Sequence, residues 1–332
     1  MAAIQLPDAP AIPGLTFRGF AGPSDFPSMV GVIEASKVAD RLERTDSVAG
    51  MAEKYSSLTN CDPFTDMLFA EVSGQVAGYS RVMWWDEIEG PRRYWAFGFI
   101  RPEFRRRGLG TAMLHWNEAR IGAIAAGHPA DIRKMIQVVA SDTEPGALAL
   151  YLAEDYQPFV YDADMVRPHL KDIPDLPLPA GLVVRTPRSD EMRKVWDADR
   201  EAFRDHPEAS DNFLTFDEWL AQPNRDPTLW RVAWAGDEVA GQVRSYINAA
   251  ENAEYHRLRG YTEEISVRNP WRRQGLARAL LCLSLRALRD RGMEEAALGV
   301  MVDNPSGAEH LYQSVGFSVV KLYTSLEKPV ET

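Results

Sequence analysis

Arginine and glycine residues in a fixed order mark where this chain can hold an anion. Arg272, Arg273 and Gln274 lead into Gly275, and an apolar-periodic stretch follows, with Leu276, Leu280, Leu283, Ala287 and Leu288 spaced for a helix face. The first amides of a helix have no intrahelical partner, and the helix dipole favours negative charge there. Glycine at 275 lets a phosphate come close to the backbone, and Arg272 and Arg273 add positive charge at the rim. The spacing Arg-x-x-Gly-x-Ala, from Arg272 to Ala277, therefore predicts a pyrophosphate site. It is neither the Gly-x-x-x-x-Gly-Lys-Ser/Thr of a P-loop nor the Gly-x-Gly-x-x-Gly of a dinucleotide fold.

The elements that must position this turn are a strand before it and a helix after it. Glu263 to Val267 alternates as a strand, which predicts Glu263, Ile265 and Val267 on one face and Glu264 and Ser266 on the other. Pro270 ends the strand, because proline has no amide hydrogen for a sheet. The helix is expected from Gly275 to Arg291, stopped by Gly292.

The arrangement occurs twice. Arg105, Arg106, Arg107, Gly108, Leu109 and Gly110 repeat it after Ile100, with the glycines 167 residues apart. Gly14-Leu-Thr-Phe-Arg18 matches Gly181-Leu-Val-Val-Arg185 at the same offset, and Val76-Ala-Gly-Tyr-Ser-Arg81 matches Val239-Ala-Gly-Gln-Val-Arg244 at 163. Gly146 to Tyr151 matches Gly307 to Tyr312 at 161. This period fits a whole domain, not a solenoid unit. The chain is read as a loose arm over 1–13, a first domain over 14–167, a proline-rich linker over 168–180 and a second domain over 181–332. Each copy reads as strand, helices, hairpin, strand, Arg-rich turn, helix, strand, short helix and strand, with hairpins across Ser73-Gly74 and Gly236-Asp237.

Composition narrows the function class. A chain of 332 residues, 45% hydrophobic and 26% charged, suits two soluble domains, each with its own core. A formal net charge of −11 argues against nucleic acid and mildly favours a cationic or neutral partner. No apolar run is long enough to span a bilayer, and the start lacks a basic and apolar leader pattern, so a cytoplasmic protein without a membrane partner is expected. Two cysteines make no disulfide framework; Cys282 falls in the apolar helix and Cys61 in a polar stretch. The six histidines have no metal-ligand spacing, so no metal is expected.

Arg-x-x-Gly-x-Gly/Ala after Val-x-x-Pro resembles the acyl-CoA signature of the GNAT acetyltransferase family, and with the repeat the resemblance covers nearly the whole chain. It implies two α/β domains, each a splayed mixed sheet flanked by helices. Acetyl-CoA would lie along Ile265, Ser266 and Val267, whose amides would face the thioester carbonyl. Arg272, Arg273, Gln274, Gly275, Leu276 and Ala277 would hold its phosphates, with Asn304 helping to position it. In this family a carboxylate on the strand before the signature often serves as base, and a tyrosine on a later helix as acid. The matching residues are Glu263 and Tyr312, the latter within Leu311-Tyr-x-x-x-Gly-Phe317.

The first copy departs from this pattern. Ala96 and Phe97 stand where the carboxylate is sought, Thr143 replaces Asn304, and Asp155-Tyr156 replaces Gly-Phe, while Tyr151 and the loop remain. The first domain is therefore expected to keep a cofactor-like site without a base. The expected acceptor is a small amine, met by acidic and aromatic residues between Asp197 and Trp219, among them Asp199, Glu201, Phe203, Asp205, His206 and Phe213. A solvated amphipathic helix is the plainer account of the same pattern. Phe203-Arg-Asp-His206 faintly resembles an element of mycothiol-synthase-like tandem members. The expected reaction is direct transfer in a ternary complex. Acetylation of a protein amino group and a non-catalytic acyl-CoA sensor stand as alternatives.

Overall fold

A computed structural model describes residues 3–87, 90–204, 215–221, 225–302 and 308–331. The described residues form two compact units. One contains the chain up to Val160 together with the stretch from Tyr323, and the other runs from Tyr161 to Leu322.

The chain begins with β1 (Leu15–Arg18), α1 (Phe26–Asp40), α2 (Val48–Ser56), α3 (Pro63–Asp66), β2 (Met67–Val72) and β3 (Gln75–Asp86). It continues through β4 (Arg92–Ile100), α4 (Leu109–Ala125), β5 (Lys134–Ser141), α5 (Pro145–Ala153) and β6 (Gln157–Arg167). The order then recurs in β7 (Val183–Arg185), α6 (Met192–Phe203), α7 (Phe216–Leu220), β8 (Arg231–Ala235), β9 (Glu238–Tyr246) and a helix not anticipated from the sequence, α8 (Ala249–Glu254). It closes with β10 (Arg259–Val267), α9 (Leu276–Asp290), β11 (Glu295–Val302), α10 (Ala308–Gln313) and β12 (Ser318–Pro329).

The expected mixed sheet is present in each unit. In the first, β1, β2, β3 and β4 are successive antiparallel neighbours, β5 lies parallel to β4, and Tyr323–Pro329 of β12 closes the edge antiparallel to β5. In the second, β7, β8, β9 and β10 are antiparallel neighbours, β11 is parallel to β10, and Tyr161–Arg167 of β6 closes the edge. The parallel pair parts early both times. Pairing between β4 and β5 ends at Trp95 and Gln137, and that between β10 and β11 ends at Tyr261 and Ala297, although all four strands run on.

Helix α9 fixes the second unit. Leu281, Leu285 and Leu288 pack into a core with Val232, Trp234 and Leu298, while Leu276 and Leu280 pack beneath Ala240 and Val243. Cys282 is buried in the first of these cores, as its place in the apolar helix predicts.

One repeated landmark has a steric cause. A Cβ on Gly78 would stand 2.7 Å from the Phe99 carbonyl oxygen, and one on Gly241 would stand 2.8 Å from that of Ser266. Both glycines let the middle strand approach the strand that leads into the Arg-rich turn. Gly78→Val and Gly241→Val are each expected to cost about 1–3 kcal/mol of stability through overpacking. Equilibrium denaturation checks this, and unchanged midpoints would refute the close approach.

Candidate active site

The two Arg-rich turns have the same backbone. Arg106 and Arg273 adopt φ of 58° and 61°, and Gly108 and Gly275 adopt 84° and 83°. The glycines stand at the N-caps of α4 and α9, and neither helix start has a side-chain cap. The first amides of two long helices are thus left without a side-chain acceptor, which suits a phosphate chain. Arg106, Arg107, Arg273 and Gln274 are exposed at the rim. Leu109 and Leu276 are buried beneath them and anchor the helices.

Arg105 and Arg272 have a different task from the one expected. Arg272 donates from Nε to the Val267 carbonyl at 2.9 Å and from Nη2 to the Ala202 carbonyl at 2.7 Å. Arg105 donates from Nε to the Ile100 carbonyl at 2.8 Å and clamps the Asp40 carboxylate at 2.6 and 2.8 Å. Each guanidinium ties the strand end to the preceding helix. The carbonyl ending each strand needs a donor, and the arginine supplies it. These arginines shape the loop, and the rim charge comes from their neighbours. Gln274, at the surface, donates to the Pro270 carbonyl at 3.0 Å.

In the first unit a cavity of about 830 Å³ opens beside this loop. It is lined by Ala96 to Ile100 where β4 leaves β5, by Arg105, Arg106, Gly108 and Gly110, and by Thr143 to Tyr151. Its volume falls in the range of small-molecule sites.

The strand β10 carries a bulge. Glu263 pairs with Arg244 and Ser266 with Gln242, leaving two residues opposite Val243, and Glu264 has φ of 50°. The expected alternation therefore fails between 263 and 266. Directly paired residues share a face, so Glu263 shares its face with Ser266, Arg244 and Gln242, while Ile265 and Val267 face the core under α9. The extra residue turns Glu263 away from the side on which plain alternation would have left it.

Glu263 is half-buried, and its Oε1 accepts from the Gly299 amide at 3.4 Å, across the gap between β10 and β11. Burial pushes its carboxyl up to about 7; the Gly299 hydrogen bond opposes this, and the charges of Glu264 and Asp164 add to it. Tyr312 on α10 is buried, with its ring edge-to-face against Phe317 at 6.4 Å. Its phenol is pushed up to about 12, by burial first and then by the charge of Glu263. The structure thus brings Glu263 and Tyr312 within electrostatic reach of each other. Asn304 lies outside the described residues.

A polar network that was not expected from the sequence braces the bulge. Asp199 on α6 accepts from Ser266 Oγ at 2.8 Å, Gln242 Nε2 at 3.1 Å and Arg244 Nη2 at 2.6 Å. Arg244 also pairs with Glu264 at 2.9 Å and lies over the Trp219 ring at 5.1 Å. Burial raises the Asp199 carboxyl while Arg244 holds it down. The repeated Val-Ala-Gly-x-x-Arg landmark was the available signal for Arg244. Elsewhere on α6 the plain amphipathic account holds. Asp197 pairs with Arg193 one turn back at 3.1 Å, exposed, and Glu201 pairs with Arg268 at 2.9 Å. Asp205, His206 and Phe213 lie outside the described residues.

Among the described residues no group of His, Cys, Asp and Glu is arranged to hold a metal ion, and no helix is long and apolar enough to cross a membrane.

Comparison with known proteins agrees with this geometry. The model of the Acetyltransferase (GNAT) family matches residues 36–153 and again 190–317. A mycothiol acetyltransferase of Catenulispora acidiphila is 28% identical over 307 residues, spanning 88% of this chain and 93% of that protein. A crystal structure of a GCN5-related N-acetyltransferase from Sphaerobacter thermophilus superposes with a TM-score of 0.75 at 26% identity, covering 99% of this chain and 98% of the other. A tandem GNAT protein from the clavulanic acid biosynthesis pathway shares the fold, with a TM-score of 0.67 at 14% identity over 96% of this chain and 99% of its own. Family members in general draw their acyl group from acetyl-CoA. With both copies of the repeat matched, the chain belongs to the GNAT acetyltransferase family and is an acyltransferase.

Proposed function

We propose that this chain transfers an acetyl group from acetyl-CoA to a primary amine of a small molecule, in a ternary complex held by the second unit. The observation that carries the reading is the bulge at Glu264. It aims a carboxyl pushed up to about 7 at the open end of the β10–β11 gap, within electrostatic reach of Tyr312. A group poised near neutral pH is what general-base chemistry at an ammonium requires.

In this reading the cofactor phosphates lie on the first amides of α9, beside Arg273, Gly275 and Ala277. The thioester enters the gap, and the amides of Ile265 to Val267 face its carbonyl. Glu263 takes the ammonium proton, directly or through water. The freed amine attacks the thioester carbon, the carbon–sulfur bond breaks, Tyr312 gives its proton to the departing thiolate, and the second proton leaving the acylated nitrogen restores the Tyr312 phenol. The reading has no covalent acyl-enzyme: Cys282 on α9 is buried in the core, and Cys61 belongs to the first unit.

The first unit is read as holding acetyl-CoA without turning it over. Its support is the matching loop at Arg106 to Gly110 and the adjacent cavity, together with Phe97 opposite Arg81, where the second unit has Glu263 opposite Arg244. The second copy then carries the reaction. The acceptor reading rests on the net charge of −11 and on the similarity to the mycothiol acetyltransferases. Acetylation of a protein amino group and acyl-CoA sensing without turnover are the rival outcomes.

Thiol release from acetyl-CoA against a panel of small amines and short peptides tests the proposal. Release that depends on one small-amine class supports it. Peptide-only release would favour the protein acceptor, and CoA binding without release the sensor. Glu263→Gln is expected to lower kcat by about 10²-fold or more at neutral pH; unchanged turnover across pH would rule Glu263 out as base. Calorimetry with CoA is expected to give two sites per chain, and Arg106→Glu and Arg273→Glu should each weaken one of them.

Stability offers a further check. A carboxyl whose folded pKa stands above its ordinary value binds more protons in the folded state, so its contribution falls as pH rises from about 4.5 towards 7. Glu263→Gln removes that penalty. Its melting temperature should therefore gain on the wild type across this window and stay level below it, as measured by thermal denaturation at stepped pH.

A further inference from the structure

Across the gap from Glu263 lies a residue from a different part of the chain. Strand β6 follows the first copy of the repeat in sequence, yet Tyr161–Arg167 pairs with β11 in the second unit. Its register sets Asp164 directly opposite Gly299. Paired residues of antiparallel strands share a face, so Asp164 stands on the face that a side chain at 299 would occupy. The parallel pairing of Tyr261 with Ala297, continued two residues along each strand, gives Glu263 the same face as Gly299. The Gly299 amide donating to Glu263 agrees with this. Four neighbouring strands thus present a row on one face: Asp164, Gly299, Glu263 and Arg244.

The middle of that row is open. Gly299 is exposed, and a Cβ built on it meets no atom within 4 Å. A side chain at 299 would stand between the two carboxyl groups. Glycine leaves a slot there, floored by backbone, with Glu263 on one side and Asp164 on the other. The opposite face at this level is core, where Leu298 and Met165 are buried.

We infer that Asp164 is a positioning residue of the Glu263 site, acting through Glu263 across the Gly299 slot and setting the charge that an incoming ammonium meets there. This deepens the proposed function and rests on Glu263 being its base. Other charged and titratable groups lie around Glu263 as well: Glu264 on its own strand, its register partner Arg244 and Tyr246 on β9, Tyr261 stacked on Tyr246, Asp199 on α6 through Arg244, and Tyr312 on α10. Arg244 is already balanced by Asp199 and Glu264. Asp164 is the member contributed from across the slot, and its negative charge makes Glu263 hold its proton to higher pH. Asp162, two residues away and opposite Met301, lies farther along the same face and is raised by burial and by Asp164.

The test uses the full-length chain with Asp164→Asn, Asp164→Glu and Glu263→Gln. Carbon-13 NMR of labelled glutamate carboxyls, with Glu263→Gln assigning the signal, reads the Glu263 titration without substrate. In Asp164→Asn the midpoint is expected to move down by about half a pH unit or more. The acidic limb of kcat/KM for the amine should move with it, and the amine KM should rise severalfold while the acetyl-CoA KM holds. Asp164→Glu should restore both. An unchanged Glu263 midpoint in folded Asp164→Asn overturns the inference, and circular dichroism establishes folding. If the asparagine variant does not fold, Asp164→Ser is read in the same way. The two claims fail separately. A wild type inactive on every amine removes the proposed function while the NMR midpoint still decides Asp164. Turnover lost in Glu263→Gln with an unmoved midpoint in Asp164→Asn removes only the inference.

Discussion

Strands β10 and β11 are paired over three residues and then part. A parallel pair that stops exchanging hydrogen bonds leaves backbone donors and acceptors along both inner edges, and such groups need partners. The second unit answers part of this need with the Glu263 carboxyl, which accepts from the Gly299 amide across the opening. The rest of the edge suits a ligand that brings its own amides and carbonyls. Arg272 fixes the far end of the opening by tying the Val267 carbonyl to the last turn of α6. The bulge then decides which side chains look into it.

Comparing the repeated arginine shows how the two copies diverge. Arg244 is neutralised by Asp199 and Glu264 and stands opposite Glu263. Arg81 holds the same register position but lies between the Tyr55 and Phe97 rings, at 4.9 and 4.7 Å. Strand β4 pairs with β3 there in unbroken register, without the bulge. Arg244 thus meets two carboxylates besides the Trp219 ring, whereas Arg81 is held between two aromatic rings. The shared loop and the parted strands survive in both, because they follow from backbone geometry that either setting tolerates.

The edge strands make each copy incomplete by itself. The strand after the first copy closes the sheet of the second unit, and the end of the chain closes the sheet of the first. An exposed edge beside a parallel pair is a liability for aggregation, and each edge is covered from elsewhere in the chain. A partly buried ion pair reinforces the closure in the first unit, with Arg93 holding Glu327 at 2.7 Å. This exchange carries Asp164 to the Glu263 site.

What the sequence by itself determined was local and repeated. The Arg-x-x-Gly turns, the helices after them and the hairpins follow from proline, glycine and apolar spacing, which act over a few residues, and the repeat made the mixed sheet legible twice. The roles of Arg105 and Arg272 were not legible, because their partners, Asp40 and Ala202, lie about 70 residues away. Nor was the facing of Glu263: a bulge costs one residue of register, and alternation cannot reveal which residue is extra. Asp164 carried no signal at all, since strand pairing across the sheet edge is a tertiary choice. Only the folded chain decides which carboxylates meet, because burial and charge at Glu263 come from strands distant in sequence.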